Sequence, residues 1–173
     1  VQAQVDSIGL KLKEIQNEVT LEYSEPTAQK INDYVFNTLE KSKNSLGRFF
    51  VYDDEFKLIF EKNNVPIELR YACISMTGCE QNSQKDPIRK GWFNLSYQSS
   101  KRHGLFLSNY IDERFDVLKS AQVFCKEIQK IHDRHENWRD ALVIFCAGDA
   151  LWQKAKILSR DSTNDFFTIN AYL

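Results

Sequence analysis

The sequence predicts an all-α protein, and three observations carry that reading. Apolar residues recur at three- and four-residue spacing in successive blocks. Gly and Pro, the residues that break helices, number only six and three in 173 residues. The balance of 42% hydrophobic and 27% charged residues is that of a folded helical protein and too apolar for a disordered one.

The elements follow in order. Ile8, Leu12, Ile15 and Val19 share one face of a first helix. Ile31, Tyr34, Val35 and Leu39 mark a second, and Tyr52, Phe56, Ile59 and Phe60 a third, which Asn63-Asn64 ends before Pro66. Leu69, Ala72, Cys73 and Met76 form the stripe of a fourth. Pro66 suits its first turn, and Gly78 suits its stop. The polar stretch 77–91, with Pro87, reads as a loop. Residues 92–97, "WFNLSY", read as a short strand or an irregular segment. A short helix starts after Ser96 or Ser99 and stops at Gly104. The strongest stripe, Val117, Ala121, Phe124, Cys125, Ile128 and Ile131, predicts a long helix. A further helix runs from about Arg139 to Ala147 and stops at Gly148, and another spans 150–158. The last dozen residues carry no clear pattern. There is no repeat, low-complexity segment or linker.

The net charge of −1 gives no basic surface for nucleic acid or anionic lipid. No apolar run approaches the roughly 20 residues that span a bilayer. The four cysteines fit no zinc or redox spacing. Cys73, Cys125 and Cys146 lie on apolar stretches and read as small buried thiols, whereas Cys79 follows Gly78 in a turn. Two disulfides are possible, but the sequence does not pair them. His132 and His135, three apart near a helix end, have no visible third ligand, and His135 suits the negative end of a helix dipole. No metal and no cofactor are expected.

Four blocks carry a more specific signal: "NVPIELRYACISMT" (Asn64–Thr77), "GWFNLSYQSSKRHGL" (Gly91–Leu105), "DERFD" (Asp112–Asp116), and Trp138 leading to "VIFCAGD". In this order and spacing they resemble the lysozyme-like lytic transglycosylases, most closely the membrane-bound lytic transglycosylase D type. The resemblance covers Val65 to about Trp152. It implies a lysozyme-like domain over 65–173, with residues 1–64 as an N-terminal helical extension packed on it. It also implies the periplasm or cell envelope of a bacterium.

Such enzymes cleave the link between N-acetylmuramic acid and N-acetylglucosamine in peptidoglycan. One glutamic acid protonates the leaving oxygen and then takes a proton from the sugar's own hydroxyl. At that position this chain has Met76, and no gap separates Met76 from Gly91 and Leu105. A thioether has no exchangeable proton, so Met76 is neither acid nor base. By the same resemblance the substrate groove is lined by Met76, Phe93, Asn94, Tyr97, Ser99, Phe145 and Cys146. Phe145 and Cys146 replace the family's Tyr-Asn pair, which removes a hydroxyl and an amide. His103 stands where the family has Tyr.

The expectation is therefore a catalytically inactive transglycosylase-like domain that binds an envelope protein partner or the peptidoglycan glycan. The side chains expected in the groove are mainly apolar, which ranks protein slightly above glycan. Two alternatives remain at this point. One is an active enzyme with a relocated carboxylate, Glu80 or Asp149, Glu68 lying too far along the helix. The other is a structural subunit of an envelope-spanning secretion or conjugation assembly.

Overall fold

The computed structural model describes Val19 and residues 25–81 and 88–159. The Ile8, Leu12 and Ile15 stripe and the last dozen residues lie outside the described residues; Val19 is buried. The chain divides after Phe124 into two compact units. The division expected at residue 64 falls inside the first. Among the described residues the regular structure is helical, with two isolated antiparallel bridges and no strand. The all-α reading holds.

Among the described residues the first unit contains α1 (Glu25–Asn32), a π-helical turn (Asp33–Asn37), α2 (Leu39–Phe50) and α3 (Asp53–Lys62). The single helix expected over Ile31–Leu39 is interrupted at Thr38. There the backbone leaves helical geometry, while the Thr38 N–H and hydroxyl both donate to the Asp33 carbonyl at 2.8 and 2.9 Å. The helix that follows, α2, gave no apolar stripe because its buried positions are Ser42, Ser45 and Phe49. Both serine hydroxyls donate back to carbonyls four residues earlier, at 3.0 and 2.9 Å, so these small polar residues are buried with their bonds made.

After α3, Pro66 starts a 3-10 turn (Ile67–Tyr71) that leads into α4 (Ala72–Thr77). Gly78, at φ +66°, ends α4 in the left-handed conformation. Later come α5 (Tyr97–Arg102), capped by the Ser96 hydroxyl accepting from the Ser99 N–H, and a 3-10 turn (Glu113–Phe115). The long helix α6 (Val117–His135) carries the boundary between units.

Five phenylalanines that are fully buried form the core of this unit. Phe49 meets Phe56 at 5.6 Å between ring centroids, and Phe56 meets Phe93 at 5.5 Å. Phe93 meets Phe124 at 4.8 Å, and Phe60 touches both Phe93 and Phe124. Burying one such side chain contributes about 1.5–3 kcal/mol. Residues 39–62 therefore supply part of the core together with Phe93 and Phe124.

Residues 92–96 form no strand; of the two readings the irregular one holds, as a tight turn, and Tyr97 already starts α5. Lys90 and Leu95 exchange both backbone hydrogen bonds, at 3.0 and 2.8 Å, around a tight turn with Gly91 at φ +75° and Asn94 at φ +50°. The Arg114 guanidinium holds this turn. Nη1 donates to the carbonyls of Ile88 (3.1 Å) and Leu95 (3.5 Å), while Nε and Nη2 grip Asp112 at 2.9 and 2.6 Å. Gly91 lies against the Arg114 backbone: a Cβ there would stand 1.9 Å from the Arg114 carbonyl oxygen. A second buried guanidinium, Arg70, donates to Asp53 and to the Ile67 carbonyl, each at 2.7 Å, tying α3 to the 3-10 turn before α4.

In the second unit, Cys125, Ile128 and Ile131 of α6 are buried, as are Ala141, Ile144 and Phe145 of α7 (Trp138–Ala147) and Trp152 and Ala155 of α8 (Asp149–Ser159). Asn137 caps α7 by accepting from the N–H groups of Arg139 and Asp140, and Gly148 at φ +92° separates α7 from α8.

Gly91→Ala combines a positive φ with a backbone collision and should cost about 3 kcal/mol or more. Gly104→Ala has a similar φ of +83° but open space around its Cβ. It should cost only about 1–2 kcal/mol. Urea unfolding of the two variants checks the difference. The Arg114 hydrogen bond holds the Asp112 carboxyl below its ordinary pKa. Between the two pKa values the folded state binds fewer protons than the unfolded state. Stability is therefore present above the unfolded value of about 3.9 and is lost as pH falls through the folded one. Asp112→Asn should cost about 3 kcal/mol at neutral pH by stranding a buried cation. Its stability should also fall less steeply than the parent's over acidic pH, which a urea series at stepped pH reads directly.

Candidate functional site

Met76 is half-buried on α4, between exposed Ser75 and buried Thr77. The helix is fixed at both ends of its last turn. The Thr77 hydroxyl lies 3.0 Å from the Cys73 carbonyl and 2.9 Å from the Trp92 carbonyl, which joins α4 to the turn at 90–95. On the other side Arg48 of α2 donates to the Gly78 carbonyl at 3.0 Å. The helix end that carries position 76 is thus tied to two neighbouring segments of the first unit, the 90–95 turn and α2.

The other residues expected in the groove fall into different environments. Phe93 is fully buried among Phe56, Phe60 and Phe124, so its ring packs the core. Asn94 is half-buried and takes the left-handed position of the turn, where Asn is favoured over most residues. Tyr97 is exposed on α5. Ser99 is buried, and its hydroxyl has no hydrogen-bond partner among the described residues. In the second unit Phe145 is buried on α7 and Cys146 is exposed. The expectation that Cys146 is a buried thiol is corrected: Ile144 and Phe145 occupy the inward face of the helix. Cys79, expected in a turn, is buried there, and Cys73 and Cys125 are buried as expected.

The carboxylates weighed as substitutes stand in polar surroundings. Glu80 is exposed and paired with Arg48 at 3.2 Å. Asp149 opens α8, with Arg134 at 3.8 Å and the His135 imidazole at 3.7 Å. A general acid for glycoside chemistry works from an apolar, partly buried setting, and neither group has one. His132 stacks flat on Trp138 with ring centroids 3.8 Å apart.

Two features were not singled out from the sequence. Asp140, half-buried near the start of α7, has its pKa raised by burial against the opposing pull of Lys156, Arg139 and His135. No local pattern distinguishes it from a solvated carboxylate in a first helical turn. The second is the approach of Cys73 and Cys79, whose sulfurs lie 3.7 Å apart. The six-residue spacing was visible, but spacing alone does not establish a pairing.

No known family model matches the chain, and a search of curated proteins finds no match to it.

Proposed function

We propose that this chain is a catalytically inactive, lytic-transglycosylase-like domain of a bacterial cell envelope, acting by binding a protein partner or peptidoglycan. The proposal rests on the four-block resemblance. The observation that carries the loss of chemistry is Met76, a thioether at the position of the family's proton-transferring glutamate. The polar surroundings of Glu80 and Asp149 favour inactivity over a relocated carboxylate.

Protein is the preferred class of partner. Phe36, Phe50, Val51 and Leu58 of the first unit are all more than half exposed, and apolar surface of this kind suits a protein contact. A glycan needs polar groups to pair its hydroxyls. Phe93, counted among the apolar groove residues, is committed to the core and adds no ligand surface.

Purified peptidoglycan incubated with the protein should release no anhydro-muropeptides above a buffer control; release would establish the enzyme reading. Sedimentation with insoluble peptidoglycan separates a glycan binder from a protein binder. Met76→Glu alone should leave the protein without strong lytic activity, because Phe145 and Cys146 still lack the hydroxyl and amide that orient the sugar. The variant should also lose about 1–2 kcal/mol of stability from placing a carboxyl where a half-buried thioether packed. Turnover near that of an active transglycosylase from this one change would show that the rest of the site is intact.

A further inference from the structure

We propose that Cys73 and Cys79 are the partners of an intramolecular disulfide that closes a small loop around Met76. Their Sγ atoms stand 3.7 Å apart, and both side chains are fully buried. Cys73 lies inside α4, and its thiol also lies 3.2 Å from the Arg70 carbonyl. Cys79 sits just past the helix end, where the chain makes two left-handed steps in succession, Gly78 at φ +66° and Cys79 at φ +55°. The second is strained for a residue with a Cβ. This reversal turns the Cys79 side chain back beneath the helix to meet Cys73.

The surroundings favour one order of events. Cys79 is the better nucleophile: its contact with the Cys73 sulfur and the Arg48 guanidinium nearby both favour its thiolate. The neighbouring Cys79 sulfur and burial hold Cys73 in the thiol form. The oxidant is a low-molecular-weight disulfide or the disulfide of an oxidoreductase. The Cys79 thiolate attacks one sulfur of it, which forms a mixed disulfide and releases one thiolate. Cys73 then gives up its proton and attacks Cys79 Sγ, forming the Cys73–Cys79 bond and releasing the second thiolate. Two protein thiols are oxidised and one disulfide is reduced to two thiols.

The consequence is local. The bond links the body of α4 to the residue after its cap, so the last turn, with Ser75, Met76 and Thr77, cannot fray without carrying the bridge with it. This inference does not depend on the proposed function, and its test uses no glycan or partner.

The full-length protein is equilibrated in buffered oxidised and reduced glutathione, then quenched with an alkylating agent in denaturant and digested with trypsin. Cleavage after Arg70 and Lys85 places Cys73 and Cys79 in one peptide, separate from those of Cys125 and Cys146. We expect that peptide to be unalkylated and two hydrogens lighter than its reduced form, with Cys125 and Cys146 alkylated. Without reductant the protein should melt roughly 5–10 °C higher than with it. Cys79→Ala should abolish that difference. Alkylation of both cysteines in excess oxidised glutathione would overturn the proposal, as would a bridge from either one to Cys125, Cys146 or a second chain. The mass result on the unmodified sequence decides the matter even where the variant fails to fold.

Discussion

The first unit depends on a buried guanidinium that must find all its partners. Arg114 carries a charge that cannot be shed, and its side chain is almost closed to solvent. It resolves that cost by gripping Asp112 with two nitrogens and by collecting the carbonyls of Ile88 and Leu95. Those carbonyls belong to the approach to the 90–95 turn and to its end. The turn holds Trp92, whose carbonyl meets Thr77 of α4, and Phe93, which enters the ring core. One side chain thereby fixes where α4 ends, where α6 starts and which ring fills the space between. Gly91 is required by the backbone of the same residue, because the Arg114 carbonyl occupies the space that a Cβ would need.

How much of this was legible in the sequence follows from what each element buries. Helices α3, α6, α7 and α8 announce themselves because their inward faces are apolar at helical spacing, as with Val117, Ala121, Phe124 and Ile128 in α6. Helix α2 stays hidden because two of its inward residues are serines that satisfy their hydroxyls on their own helix. The break at Thr38 is equally silent, since Tyr34, Val35 and Leu39 mimic a continuous stripe while remaining exposed. At the candidate site, Met76 on a short helix stopped by Gly78 was readable from local pattern. Phe93 was not, because whether an aromatic ring faces a groove or a core depends on partners as distant as Phe56 and Phe124. The proximity of Cys73 and Cys79 needed the left-handed step at Cys79, which no propensity rule assigns to cysteine.

The proposed loss of chemistry is compatible with a well-held α4 on physical grounds. The hydrogen bonds that hold the end of α4 run through Thr77, Gly78 and the backbone of Trp92, and a thioether at position 76 takes no part in them. A carboxyl there would add a desolvation cost, while a thioether fills the same space without one. The scaffold therefore has no need of an acid at that point.

The ring core has a further consequence during synthesis. Phe49, Phe56 and Phe60 leave the ribosome together on α2 and α3, but the rings that cover them, Phe93 and Phe124, come from much later in the chain. At translation rates of about 5–20 residues per second, the interval between Phe60 and Phe124 lasts roughly 3–13 s. Until then Phe49 and Phe56 have each other, but the ring faces that Phe93 and Phe124 cover have no native partner. The nascent chain is most vulnerable to self-association in this window, and a chaperone that shields short aromatic-rich helices would act on it there.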